Sequence, residues 1–129
     1  MKEKRIAVAF IEFDLDEGPQ FSYLFPRVFP VDYQQEFQIS NYALYSEGIF
    51  QFEIEDLYVF GYTFKKKIQH KRAEYTKAAI ALLVKKNNYR VDLEAILNFI
   101  ENEIIPLSEK IAKNNIHVDD ALLKEILET

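Results

Sequence analysis

The side chains of widest catalytic and metal-binding use in this chain are His70 and His117. They stand far apart and neither sits in a spaced ligand motif, so both read as surface residues, one on a hairpin and one in a loop. No cysteine occurs, which excludes a thiol nucleophile, a disulfide framework and any Cys-based zinc site. Asp14-Leu15-Asp16-Glu17-Gly18 has the outline of a calcium loop. Its glycine falls at loop position 5, however, and position 12 would be Phe25, where a bidentate glutamate is needed. It reads as a turn. Three well-separated glycines leave no phosphate-cradling loop, and no Gly-x-Ser-x-Gly elbow surrounds Ser22, Ser40, Ser46 or Ser108. Glu101 and Glu103 fall on the polar face of an amphipathic helix. The sequence therefore predicts no catalytic, metal-binding or cofactor-binding residue, and a chain that is not an enzyme.

Charge is the stronger signal. Residues 65–90 hold nine basic residues (Lys65, Lys66, Lys67, Lys71, Arg72, Lys77, Lys85, Lys86 and Arg90) and one acid, Glu74, a local charge of +8. The remainder has seven basic and twenty acidic residues, or −13. Such a block can attract an acidic partner or an anionic membrane surface. Equally, lysines on a solvated hairpin keep sheet edges from aggregating. Tyr62, Phe64 and Tyr75 stand near these lysines, in a pattern compatible with base stacking. The overall acidity counts against nucleic acid. Reversing Lys65, Lys66 and Lys67 to glutamate is predicted to leave the fold intact.

The elements that position these residues follow from hydrophobic period. With 129 residues, 49% of them apolar, the chain is one domain with a sizeable core. Ala78–Val84 is seven apolar residues in a row, and Ile6–Ile11 is the only similar stretch; both read as strands buried on two faces, with a buried helix segment as the alternative. Ile6–Phe13 and Gln20–Phe25 form a hairpin around Gly18-Pro19, with Phe21, Tyr23 and Phe25 expected on one buried face. Asp32 caps a helix whose inner face is expected to hold Tyr33, Phe37 and Leu44, widened by Ile39, Tyr42 and Ala43, and which Gly48 stops. Phe50–Glu55 alternates strictly and reads as a one-sided edge strand. Leu57–Phe64 follows a turn at Glu55-Asp56, and Gly61 inside it marks a bulge or a close backbone approach. Lys65–Tyr75 is expected to be the basic hairpin connection, and Thr76–Val84 the fifth strand. Leu93, Ile96, Leu97, Ile100 and Ile104 then form a helical stripe behind the cap Asp92; Pro106 breaks or restarts it, and Asp119 caps a last short helix.

The expected order is β-β-α-β-β-β-α-α, an α+β fold with a five-stranded antiparallel sheet between one helix and the C-terminal helices, the first and fifth strands paired centrally. That order is the longin pattern, the longin/profilin-like α-β-α sandwich. Phe13-Asp14, Gly18-Pro19 and Tyr23-Leu24-Phe25-Pro26 resemble the opening hairpin of DENN-type longin domains. Tyr58-Val59-Phe60-Gly61-Tyr62-Thr63-Phe64 is similar to their strand built on Phe-Gly-Tyr. Arg72–Ala78 resembles their segment leading into an apolar strand, with Ala73, Thr76 and Ala78 where that segment has Gly, Gln and Ser. The resemblance runs from about Ile6 to Leu107. The DENN lobe that normally follows is missing, so the chain is expected to be a single stand-alone longin unit (1–129) or a fragment.

The resemblance implies a part played beside small GTPases of Rab or Rag type, as adaptor, scaffold or part of an exchange-factor assembly in vesicle trafficking. The implied partners are a small GTPase, another longin- or roadblock-type chain, or a second copy in a homodimer. The expected contact device is the sheet edge at Phe50, Phe52 and Ile54, with Tyr58 beside it and the basic residues Lys65, Lys66, Lys67 and Arg72. Two other readings stay open: an anionic-surface binder using the 65–90 block, and a SNARE-like longin regulatory domain, which would require a heptad helix after Thr129. The apolar run behind Met1–Arg5 is cut by Glu12, too short for a secretory signal, and no run reaches the ~18 apolar residues of a membrane helix. A cytoplasmic protein, peripheral at membranes, is the expectation.

Overall fold

Strand β5 (Ala73–Lys85) lies at the middle of a five-stranded antiparallel sheet, between β1 (Ile6–Asp14) and β4 (Leu57–His70). The edges are β2 (Gly18–Phe25) beside β1 and β3 (Gly48–Ile54) beside β4. The computed structural model describes residues 6–70, 73–86, 92–114 and 118–127. The two all-apolar stretches are neighbours, with Val8 opposite Leu82 and Ala9 opposite Ala81. Ala7–Ile11 and Ala78–Val84 are buried on both faces, which is why their sequence shows no alternation; only Ile6, at the start of β1, is exposed.

The two faces differ in side-chain size. One presents Ala7, Ala9, Ala79 and Ala81, with Gly61 beside them in the register; helix α1 (Tyr33–Tyr45) packs over it with Ile39, Ala43 and Leu44. The other presents Val8, Phe10, Phe60, Ile80 and Leu82. The C-terminal helices cover it with Ile100, Ile104, Ile111, Leu123 and Ile126.

Four local expectations are corrected. Ser22 is bulged out between the pairs Phe10–Tyr23 and Ile11–Phe21, so Phe21 turns to the α1 face while Tyr23 and Phe25 face the C-terminal helices. Lys65–His70 is strand rather than connection: β4 and β5 run on past Phe64, pairing Lys65 with Lys77 and Lys67 with Tyr75. Gly48 does not end α1, which stops at the extended cap Ser46; its φ of +73° instead opens β3. At the C-terminus, α2 (Leu93–Phe99) continues through a π-helical turn, Ile100–Ile104, into α3 (Ile105–Asn114), and α4 (Asp120–Leu127) follows. The helical order thus differs in detail from the expected pair. Pro106 has no N–H to donate and its ring crowds the preceding turn; the widened π turn, closed by Ile105 N–H to the Ile100 carbonyl, lets the helix pass it unbroken.

The expected caps are present. Asp32 accepts from Gln35 N–H at 2.7 Å while Gln35 Oε1 accepts from Asp32 N–H at 3.1 Å. Asp92 and Asp119 accept from Ala95 and Leu122 N–H.

Candidate interaction surfaces

Backbone and side chains of the expected contact edge have different fates. β3 is an edge of the sheet, but Phe50 and Ile54 are buried and Phe52 half-buried, all packed in the core under α1. Phe50 and Phe52 stack at 5.6 Å between ring centroids. Tyr58 is half-buried on the opposite face, with Lys86 Nζ 5.1 Å from its ring centroid. These side chains build the core rather than offer themselves to a partner. Edge strands buried on one face alternate in the same way as strands that bind, so the pattern alone does not separate the two.

Four of the six described basic residues of the block are engaged within the fold. Lys66 Nζ lies 2.7 Å from Glu12 Oε2, with side chains only 18% and 25% exposed, and sits 5.7 Å from the Phe10 ring centroid. Ser22 Oγ donates to the other Glu12 oxygen at 2.7 Å. Lys85 pairs with Asp56 at 2.7 Å and Lys86 with Glu53 at 2.9 Å. Lys77 donates to the Leu44 carbonyl oxygen at 3.1 Å. Lys65 and Lys67 are exposed on the α1 side of the sheet, the register placing Tyr75 opposite Lys67. Lys71, Arg72, Arg90 and His117 lie outside the described residues.

A polar network fixes the N-terminus of α1 to the β3–β4 turn. Gln35, though buried, donates from Nε2 to Glu55 Oε2 at 3.0 Å and to Asp56 Oδ1 at 3.3 Å. Glu55 adopts a φ of +51°, which a non-glycine residue takes up only where its surroundings hold it. The ammonium of Lys85 holds the Asp56 carboxyl below its ordinary value, helped by the Gln35 amide and opposed by partial burial. The shallow pocket here, about 500 Å³, has its polar atoms paired internally. Asp14 is likewise a turn residue: one of its oxygens accepts from both Asp16 and Glu17 N–H. Among the described residues, no three His, Asp or Glu side chains cluster to hold a metal.

The surface that the sequence reading missed is the outer face of α1. Tyr33, Phe37, Tyr42 and Tyr45 are 84%, 55%, 59% and 82% exposed. Of these, Tyr33, Phe37 and Tyr42 were expected on the inner face. The alanine floor of the sheet explains the inversion: the inward positions are Gln35, Ile39, Ser40, Ala43 and Leu44, and the rings stand outside. Phe37 and Tyr45 lie on one outer stripe, and Tyr42 reaches across to Phe52 of β3, with centroids 5.5 Å apart. Glu36 is the one charged residue in the helix. An exposed helix face normally carries charge; one rich in aromatics and free of charge has the composition of an interface core.

No protein-family model matches the chain, and no curated protein shows significant similarity to it. No helix among the described residues is long and apolar enough to cross a membrane.

Proposed function

We propose that this chain is a non-enzymatic protein-interaction module of the DENN-type longin kind. It acts beside a small Rab- or Rag-like GTPase, in GTPase regulation or membrane trafficking, as an adaptor or as one part of an exchange-factor assembly. The element order up to β5 and the five-stranded antiparallel sheet support the longin/profilin-like reading of the fold. The observation that carries the functional reading is the uncharged aromatic outer face of α1. Its partner is a small GTPase or a second longin- or roadblock-type chain. The anionic-surface alternative has less support, because Lys66, Lys77, Lys85 and Lys86 are already engaged by the fold.

Light scattering coupled to size exclusion tests the proposal. The chain is run alone, then with a panel of small GTPases in both nucleotide states and of longin or roadblock chains from the same source. A complex with one of them is expected, lost in Phe37→Glu/Tyr45→Glu at unchanged melting temperature. No complex across the panel, or one indifferent to the double variant, would sink it.

A further inference from the structure

We infer that the cleft between the β3 edge and α2 receives an extended peptide segment with alternating aliphatic side chains and basic flanks, added to the sheet as another strand. The cleft lies on the sheet face opposite α1, so the inference stands apart from the GTPase reading and does not use the aromatic surface.

Three observations meet there. First, among the described residues β3 pairs only with β4, so alternate backbone N–H and C=O groups along its outer side have no ladder partner among them. Second, the face of β3 turned from α1 carries Ile49 and Gln51. These line a cleft of about 110 Å³ with Phe60 as floor and Ile96 and Leu97 as wall. Third, α2 overhangs this cleft without closing it. None of its side chains is fully buried, and Leu93, Leu97 and Ile49 are 54%, 43% and 43% exposed. Large aliphatic side chains left open around one cleft mark a binding groove.

Together these features specify the occupant. An edge strand with a helix alongside it takes up an extended segment by main-chain hydrogen bonding, and the pleat sends every second side chain of that segment into the space beneath the helix. The small volume admits aliphatic side chains rather than rings. Acidic residues neighbour the lining in sequence: exposed Glu47 stands two positions before Ile49 and exposed Asp92 and Glu94 flank Leu93, while Lys86 is bound to Glu53. Basic residues flanking the aliphatic core of the segment complement that charge.

The test titrates the full chain into a panel of fluorescein-labelled heptapeptides, each with lysine at both ends and Val, Ile or Leu alternating with Thr between them. Matched controls carry proline at the centre. Saturable binding is expected for part of the panel, weakened about tenfold by central proline, which removes a ladder N–H. Leu97→Arg is expected to weaken it by a similar factor at unchanged melting temperature, and Tyr45→Glu to leave it unchanged. Amide shifts on binding should map to β3 and α2. The inference is overturned if no peptide binds saturably, if Leu97→Arg binds as well as the parent, if the shifts map to α1, or if the peptides compete with self-association of the chain through β3, which would make a second copy the occupant.

Discussion

The Lys77 ammonium donates to the Leu44 carbonyl oxygen at 3.1 Å, so a lysine from the middle of the basic block sits at the C-terminal end of α1. Beside it, Thr63 Oγ1 donates to the Ala43 carbonyl at 2.6 Å. The last turn of α1 contains no basic residue, and β4 and β5 provide the missing donors. A cation at a helix C-terminus stabilises it through the helix dipole by about 0.3–1 kcal/mol, more where partly buried. Lys77→Met is therefore expected to lower stability by about 1 kcal/mol in urea denaturation. The Ala43 carbonyl also accepts from Ser46 N–H at 3.2 Å, so Thr63→Val removes one of its two hydrogen bonds and is expected to cost about 0.5–1.5 kcal/mol. Unchanged stability in both would mean that the α1 terminus is satisfied by water.

The three consecutive lysines separate in the same way. Lys66 faces Glu12 across the sheet, whereas Lys65 and Lys67 point to solvent on the other face. Reversing all three had been expected to leave the fold intact; the Glu12 contact changes that. Lys66→Glu places two carboxylates together in a mostly desolvated site and is expected to cost about 2–3 kcal/mol. Lys65→Glu and Lys67→Glu are expected to stay within about 0.5 kcal/mol of the parent. Equal costs at all three positions would remove the distinction.

Much of the sheet was legible because it depends on properties that a single strand carries. Ala78–Val84 and, beyond the exposed Ile6, Ala7–Ile11 are apolar because both of their faces are covered. Asp32, Asp92 and Asp119 cap helices through contacts three residues away. What depends on a distant element was not legible. Period alone counts Tyr33, Phe37 and Tyr42 as apolar, but the alanines of β1 and β5 decide which side of α1 fits against the sheet. The partner that makes Lys66 a structural residue lies fifty-four positions away. The Ser22 bulge, which sends Phe21 to the opposite face, leaves no mark in the alternation of β2.

Asp56 gives the fold a defined acid sensitivity. Its carboxyl titrates below the ordinary 3.8 in the folded state because it accepts a hydrogen bond from Lys85. A lowered folded value means stability that is present above the unfolded value and lost as pH falls through the folded one. The side chain is half-exposed, so solvent screening holds the contribution to under about 1 kcal/mol. The stability difference between the parent and Asp56→Asn is expected to be constant near neutral pH and to shrink below about pH 4. A difference that persists to lower pH would assign the effect to packing.

Ser40 offers a test of opposite sign. It is fully buried on the inner face of α1, and its hydroxyl oxygen has no hydrogen-bond partner. Ser40→Ala removes an unsatisfied polar atom and adds helix propensity, so it is expected to be neutral or to stabilise by up to about 1 kcal/mol. A loss of more than that would show the hydroxyl to be engaged.

Gly61 is where the close approach of strands leaves no room for a side chain. It sits in β4 between Phe50 of β3 and Ala81 of β5 without a bulge, so of the two explanations for its presence the close approach is the right one. A Cβ there would press on the Ile80 carbonyl oxygen, come within 2.6 Å of Phe50 Cζ and reach 3.0 Å from the Ala81 Cα. Two of these three neighbours are backbone atoms of the central strand, which cannot move without disturbing the ladder to β1. Gly61→Ala is expected to cost about 3 kcal/mol, at the upper end of overpacking. Phe50→Leu in the same chain relieves only the ring contact, so it should restore a minor part of the loss. Full restoration in the double variant would place the constraint in the ring rather than in the backbone of β5.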